Sequence, residues 1–107
     1  MLYAMLGENA VMYTNYFNRL VTIVAELCDM PVEAVLSKRN DQAVDARWII
    51  VKILYEQGYH TANIAMLLKM TQRNVTHILN SFQDRLDQYD SLFKSTYQKA
   101  RISAGNI

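Results

Sequence analysis

The sequence predicts an all-α protein: a small helical bundle with a helix-turn-helix and a long C-terminal helix. Three observations lead there. The 107 residues include only three Gly and one Pro, too little punctuation for a succession of short strands. Apolar residues recur at steps of three and four over long stretches, the period of a helix with one buried face. The composition, 51% hydrophobic and 20% charged, gives one domain of this length enough apolar surface for a modest core.

Between Glu8 and Cys28, the residues Tyr13, Tyr16, Phe17, Leu20, Ile23, Val24 and Leu27 form the apolar side of a first helix. Asn15, Arg19, Thr22 and Glu26 face water. Pro31 cannot extend that helix but suits the first turn of a short second one over "PVEAVLS". The polar, basic "SKRND" is a break, and Asn40 or Asp41 can cap the helix after it. That helix, Asp41 to Gln57, is apolar on most sides, with one narrow polar stripe of Asp41, Asp45, Lys52 and Glu56, as expected of the central member of a bundle. Trp48 is expected in the core. Arg47 lies about half a turn off the stripe, as a snorkelling core-edge residue or a side chain aimed at something specific, with a helix-surface ion pair and a phosphate as its candidate partners.

Gly58 ends the central helix. Thr61 then caps a helix of about two turns, and Thr71 caps the next. From Thr71 no Gly or Pro intervenes before Gly105, and Leu79, Phe82, Leu86, Tyr89, Phe93, Thr96 and Ala100 form a heptad-like seam. Unbroken to Arg101, such a helix is about 45 Å long; its end projects, bends near Asn80 and Ser81 or around Ser95, or takes a partner. The organisation is thus one domain over 1–107, with the helix-turn-helix at 61–80 and a helical extension at 83–107.

A net charge of +1 is uninformative, but its distribution is not. Residues 1–56 carry seven acids and five bases, residues 57–83 no acid and two bases, and residues 84–107 three acids and four bases. The acid-free window contains "TANIAMLLKMTQRNVTHILN", Thr61 to Asn80. Here Ile64, Ala65, Leu68, Met70, Val75 and Ile78 stand where two crossing helices need apolar or small residues. Thr71, Gln72, Arg73, Asn74, Thr76, His77 and Asn80 are polar and none is acidic. A helix-turn-helix lays such a second helix in the major groove with its N-terminal residues toward base edges. Gln72 and Asn74 suit adenine edges, Arg73 guanine or a phosphate, and Thr76 an acceptor or a thymine methyl, with His77 also in reach. The N-terminus capped by Thr71 suits a phosphate, as do Lys38, Arg39, Arg47 and Lys69. Lys69 occupies a position where Gly often supplies a left-handed backbone, which calls for a different turn geometry.

The stretches "IVAELCDMPVEAVLSKRN", "VDARWIIVKIL" and "NIAMLLKMTQRNVTHIL" resemble the C-terminal domain of the bacterial replication initiator DnaA, from about Tyr16 to Phe82. The resemblance implies an all-helical fold of the Trp-repressor-like type that binds short double-stranded DNA boxes. By position it places Lys38 and Arg39 in the family's basic loop, Arg47 in its Ala-Arg pair, and Arg73 and Asn74 in its base-reading segment. The family's signature Arg-Asp-His-Thr-Thr-Val stands here as "MTQRNV", and the turn is one residue shorter, so the resemblance implies the fold rather than the sequence preference. No Walker-type phosphate loop is present, so ATP-driven initiation is not expected of this chain.

The remaining classes find little support. His60, His77 and Cys28 lack paired ligand spacing, so neither a metal nor another cofactor is expected. No nucleophile with an evident base and no carboxylate pair marks an enzyme. A single Cys, no long apolar run and no signal-peptide pattern at "MLYAMLGENAVM" imply a reduced, cytoplasmic location without a membrane span. The expected partner is double-stranded DNA, with a homodimer through the seam of the C-terminal helix as an accompaniment. The competing reading is a helical protein-protein interaction module in which the helix-turn-helix is only structural.

Overall fold

Among the described residues there are six helices and no strand: α1 (Leu2–Leu27), α2 (Val32–Ser37), α3 (Asp41–Glu56), α4 (Thr61–Leu68), α5 (Gln72–Asp87) and α6 (Ser91–Ala104). The computed structural model describes the backbone of residues 2–88 and 91–105 and the side chains of 14–88 and 91–105. Tyr13 and Tyr89, assigned above to the first helix's apolar side and to the seam, lie outside the described side chains.

The core forms where helix periodicity placed apolar residues. Phe17, Leu20, Val21 and Val24 of α1 meet Ile49, Ile50, Ile53 and Leu54 of α3, and both sets are closed by Val35, Ile64, Val75, Phe82 and Phe93 from the other helices. α1 begins before Glu8 because Leu, Met and Ala carry the helix back past the amphipathic stretch. Its buried side is also rotated from expectation. Val21 and Ala25 are buried and Leu27 is exposed, because α1 packs against both α3 and α6.

Three helices end in the same way. In α1, α3 and α4 a left-handed residue follows the helix: Asp29 with φ 54°, Gly58 with φ 94° and Lys69 with φ 54°. The next amide then reaches back to a carbonyl five residues earlier, Met30 to Ala25 at 2.9 Å, Tyr59 to Leu54 at 3.1 Å and Met70 to Ala65 at 3.0 Å. This Schellman arrangement satisfies helix-end carbonyls and turns an apolar side chain, here Met30, Tyr59 or Met70, back onto the core. Only Gly58 adopts the conformation without strain from a Cβ.

The largest departure from expectation concerns the C-terminal helix. It does not run unbroken, nor bend at Asn80 and Ser81 or around Ser95: α5 ends at Asp87 and Gln88 is extended, with φ −68° and ψ 158°. Asp and Ser residues around this point favour local side-chain bonding over helix continuation. Within the segment 83–107, α6 folds back against α1 and α3. Phe93, Thr96 and Ala100 of the seam are buried inside the chain by this return. They are not presented to a second copy.

The polar stripe of α3 meets the helices on both sides of the return. Rather than facing water, Asp45 receives both Nε and Nη2 of Arg85, at 3.3 and 2.7 Å, while the Arg85 guanidinium stacks 4.3 Å from the Phe93 ring. About two and three turns further along, Lys52 lies 5.6 Å from the centre of Phe82, and Glu56 accepts the Tyr97 hydroxyl at 3.0 and 2.9 Å. Arg101 joins Glu56 at 3.6 Å.

Burial first, then the hydrogen bond to Glu56 and its negative charge, push the Tyr97 hydroxyl from its ordinary value of 10 to about 12. Folding thus raises this pKa. The stabilisation is full below pH 10 and is lost as the pH rises toward about 12. Tyr97→Phe is expected to flatten the fall of unfolding free energy across that window, measured by urea titrations at stepped pH. An unchanged slope would mean that Tyr97 ionises equally in both states.

Candidate nucleic-acid interface

α4 and α5 are joined by Lys69, Met70 and Thr71, and their crossing is held by the residues the spacing singled out. Ile64, Ala65, Leu68, Val75 and Ile78 are buried, and Met70 is half-buried against the core. On the other side Thr71, Gln72, Arg73, Asn74, Thr76, His77 and Asn80 are all exposed. The N-terminal half of α5 therefore presents a face of amides, hydroxyls, one guanidinium and one imidazole, with no carboxylate before Asp84.

Thr71 caps α5 as expected, its Oγ1 accepting the Asn74 amide at 3.0 Å. Thr61 does not cap α4. The cap position is His60, whose side chain makes no capping bond, and Thr61 is the first helical residue. Its hydroxyl instead accepts the Gln72 Nε2 at 2.7 Å, linking the first residues of the two helices. Asn74 Nδ2 reaches only the Met70 sulfur, at 3.7 Å, a weak acceptor.

The turn does not adopt a different geometry to suit Lys69. The lysine itself takes the left-handed conformation, with φ 54° and ψ 46°. Side chains other than Gly incur about 1–2 kcal/mol there. Lys69→Gly is thus expected to stabilise the fold by about 1 kcal/mol in urea titrations, as is Asp29→Gly at the equivalent end of α1. If Lys69 meets a phosphate, its replacement alone also weakens duplex binding, severalfold, leaving a variant more stable yet poorer at binding. Loss of stability on substitution would refute the strain.

Two other groups of candidate residues lie on neighbouring elements. Half-buried Arg47 donates its Nη1 to the Val35 carbonyl of α2 at 2.7 Å rather than pairing with a carboxylate of the helix surface. Partial burial lowers its pKa, from a value high enough that it stays cationic. By tying α3 to α2, Arg47 fixes the helix that leads into the exposed Lys38 and Arg39. Trp48, expected in the core, is only half-buried and meets His77 of α5 edge-on at 6.0 Å. The chain thus connects Arg47 to α2 and its neighbour Trp48 to α5.

Periodicity gave the exposed face of α5 but not the Thr61–Gln72 bond or the Trp48–His77 contact, which depend on the crossing of two helices. Elsewhere, Cys28 lines a cavity of about 60 Å³ with Asp45, Ile49, Phe93 and Thr96. Burial and, secondarily, the Asp45 carboxylate push its thiol above the ordinary value, away from a nucleophilic thiolate. Among the described residues no three His, Cys, Asp or Glu side chains converge as metal ligands, and no helix is long and apolar enough to cross a membrane.

Comparison with protein-family models, with curated proteins and with solved structures gives no match to the chain.

Proposed function

We propose that the chain binds double-stranded DNA through α4 and α5, with the N-terminal half of α5 in the major groove, and acts as a small regulator or accessory factor by occupying its site. The observation that carries this reading is the exposed, acid-free start of α5, held on a three-residue turn with Ile64, Ala65, Leu68, Val75 and Ile78 of the hairpin turned inward. A hairpin that served packing alone would need the inward set but not the outward one.

Gln72, Arg73, Asn74 and Thr76 supply the base contacts, with His77 at the edge of the groove braced by Trp48. Lys38, Arg39, Lys69 and the Thr71 end of α5 supply phosphate contacts, and Arg47 holds the helix from which Lys38 and Arg39 extend. The arrangement is the one the DnaA C-terminal domain resemblance implies, and that kinship is part of the proposal.

The competing interaction-module reading drew on a seam of which Phe82, Phe93, Thr96 and Ala100 are buried within the chain. A direct test is titration of isotope-labelled protein with a short duplex, following backbone amide resonances. Changes concentrated at 69–80, with weaker ones at 38–39, support the reading. Changes confined to α6 would return the weight to protein-protein interaction.

A further inference from the structure

Resting on the DNA-binding reading, we infer that Thr61 is a positioning residue that makes Gln72 the adenine-reading side chain of α5. A terminal amide offers one oxygen and two N–H groups. Bidentate pairing with adenine uses the oxygen, toward N6, and one N–H, toward N7. The Thr61 hydroxyl holds the Gln72 Nε2 at 2.7 Å and so engages one of its two N–H groups. What remains free, Oε1 and a single N–H, is the pair that adenine takes up. The bond also stops the amide from rotating to offer its two N–H groups where an acceptor-rich guanine edge would suit them.

Gln72 is the first residue of α5 and Thr61 the first of α4, so the bond ties the reading side chain to the neighbouring helix. Thr61 is free for this because the cap position of α4 falls on His60, one residue earlier. The neighbouring amide, Asn74, has no such support. The Asn74 Nδ2 meets only the Met70 sulfur at 3.7 Å, and its orientation is held more loosely. A fixed donor-acceptor pair discriminates between bases, whereas a rotating one accommodates several.

Thr61→Val tests this, since it removes the hydroxyl, keeps the β-branched shape and leaves the cap untouched. Preferred duplexes are first selected from a randomised pool with the full chain, and an A·T pair whose preference is lost in Gln72→Ala is identified. The affinity ratio between that duplex and its copy changed at that pair is then measured by fluorescence anisotropy for wild type, Thr61→Val and Thr61→Ser. Thr61→Val is expected to lower the ratio about tenfold at that pair only, with the salt slope and melting temperature unchanged, and Thr61→Ser to restore it. A ratio unchanged in Thr61→Val, a uniform loss over all sequences, or selected sites with no pair dependent on Gln72 would each overturn the positioning role while leaving DNA binding in place. Absence of duplex binding by the wild type would instead remove the DNA reading, and this inference with it.

Discussion

Phe82→Ala is expected to destabilise the chain by about 3–5 kcal/mol, a large share of the stability of a domain this size. Phe82 is 1% exposed and lies where α5, α6 and α3 meet. Its ring stands 5.4 Å from Phe93 and 4.9 Å from Tyr97, with the Lys52 ammonium 5.6 Å from its centre. In an unbroken helix, Phe82 and Phe93 would be separated by about 16 Å along the axis, so these contacts exist only because α6 turns back. Truncation leaves a cavity that the two neighbouring rings cannot both fill, and it loosens the return that brings Tyr97 to Glu56. Urea titration followed by circular dichroism measures the cost, and Phe82→Leu should recover most of it. A cost below about 1 kcal/mol would mean that α6 does not rest on α5 in solution.

The second large effect concerns recognition. Arg73→Ala is expected to weaken binding to the preferred duplex by about 1–3 kcal/mol and to flatten the preference among sequences at one position. Arg73 is exposed at the second position of α5, beside Gln72 and on the turn's outer side. A bidentate contact to a guanine edge is lost completely for that base, while other bases never had it. A phosphate contact predicts a different pattern, with equal weakening on every sequence and a salt slope lower by about one. Competition titrations against a panel of single-pair variants separate the two. Wild-type affinity retained on every duplex would remove Arg73 from the interface.

The helices were legible because burial imposes a period that chain topology does not disturb. Ile64, Ala65, Leu68, Val75 and Ile78 announced the hairpin, Thr71 announced its cap by its side-chain chemistry, and of the two candidates Asn40 and Asp41 it is Asn40 that caps α3. The break after Asp87 escaped for an instructive reason. A heptad-like seam continues through a short connection when both segments bury their apolar faces in one core, so Phe82, Phe93 and Ala100 read alike in a straight helix and a folded one. The stripe of α3 misled in the same way, since charges at helical spacing look solvated whether they meet water or a partner such as Arg85. In the site, the exposed residues could be read one by one. Pairs such as Thr61 with Gln72, eleven positions apart, depend on the angle between helices, which local spacing does not encode.

The central claim is that the acid-free end of α5 meets DNA. Its most direct test is fluorescence anisotropy of labelled duplexes, random, AT-rich and containing a DnaA box, titrated with protein at salt concentrations from about 50 to 200 mM. The account predicts binding that weakens steeply with salt, with a log-log slope of about −3 for contacts from Lys38, Arg39 and Lys69. No binding at the lowest salt by a folded, soluble protein would contradict it, as would binding whose affinity ignores salt.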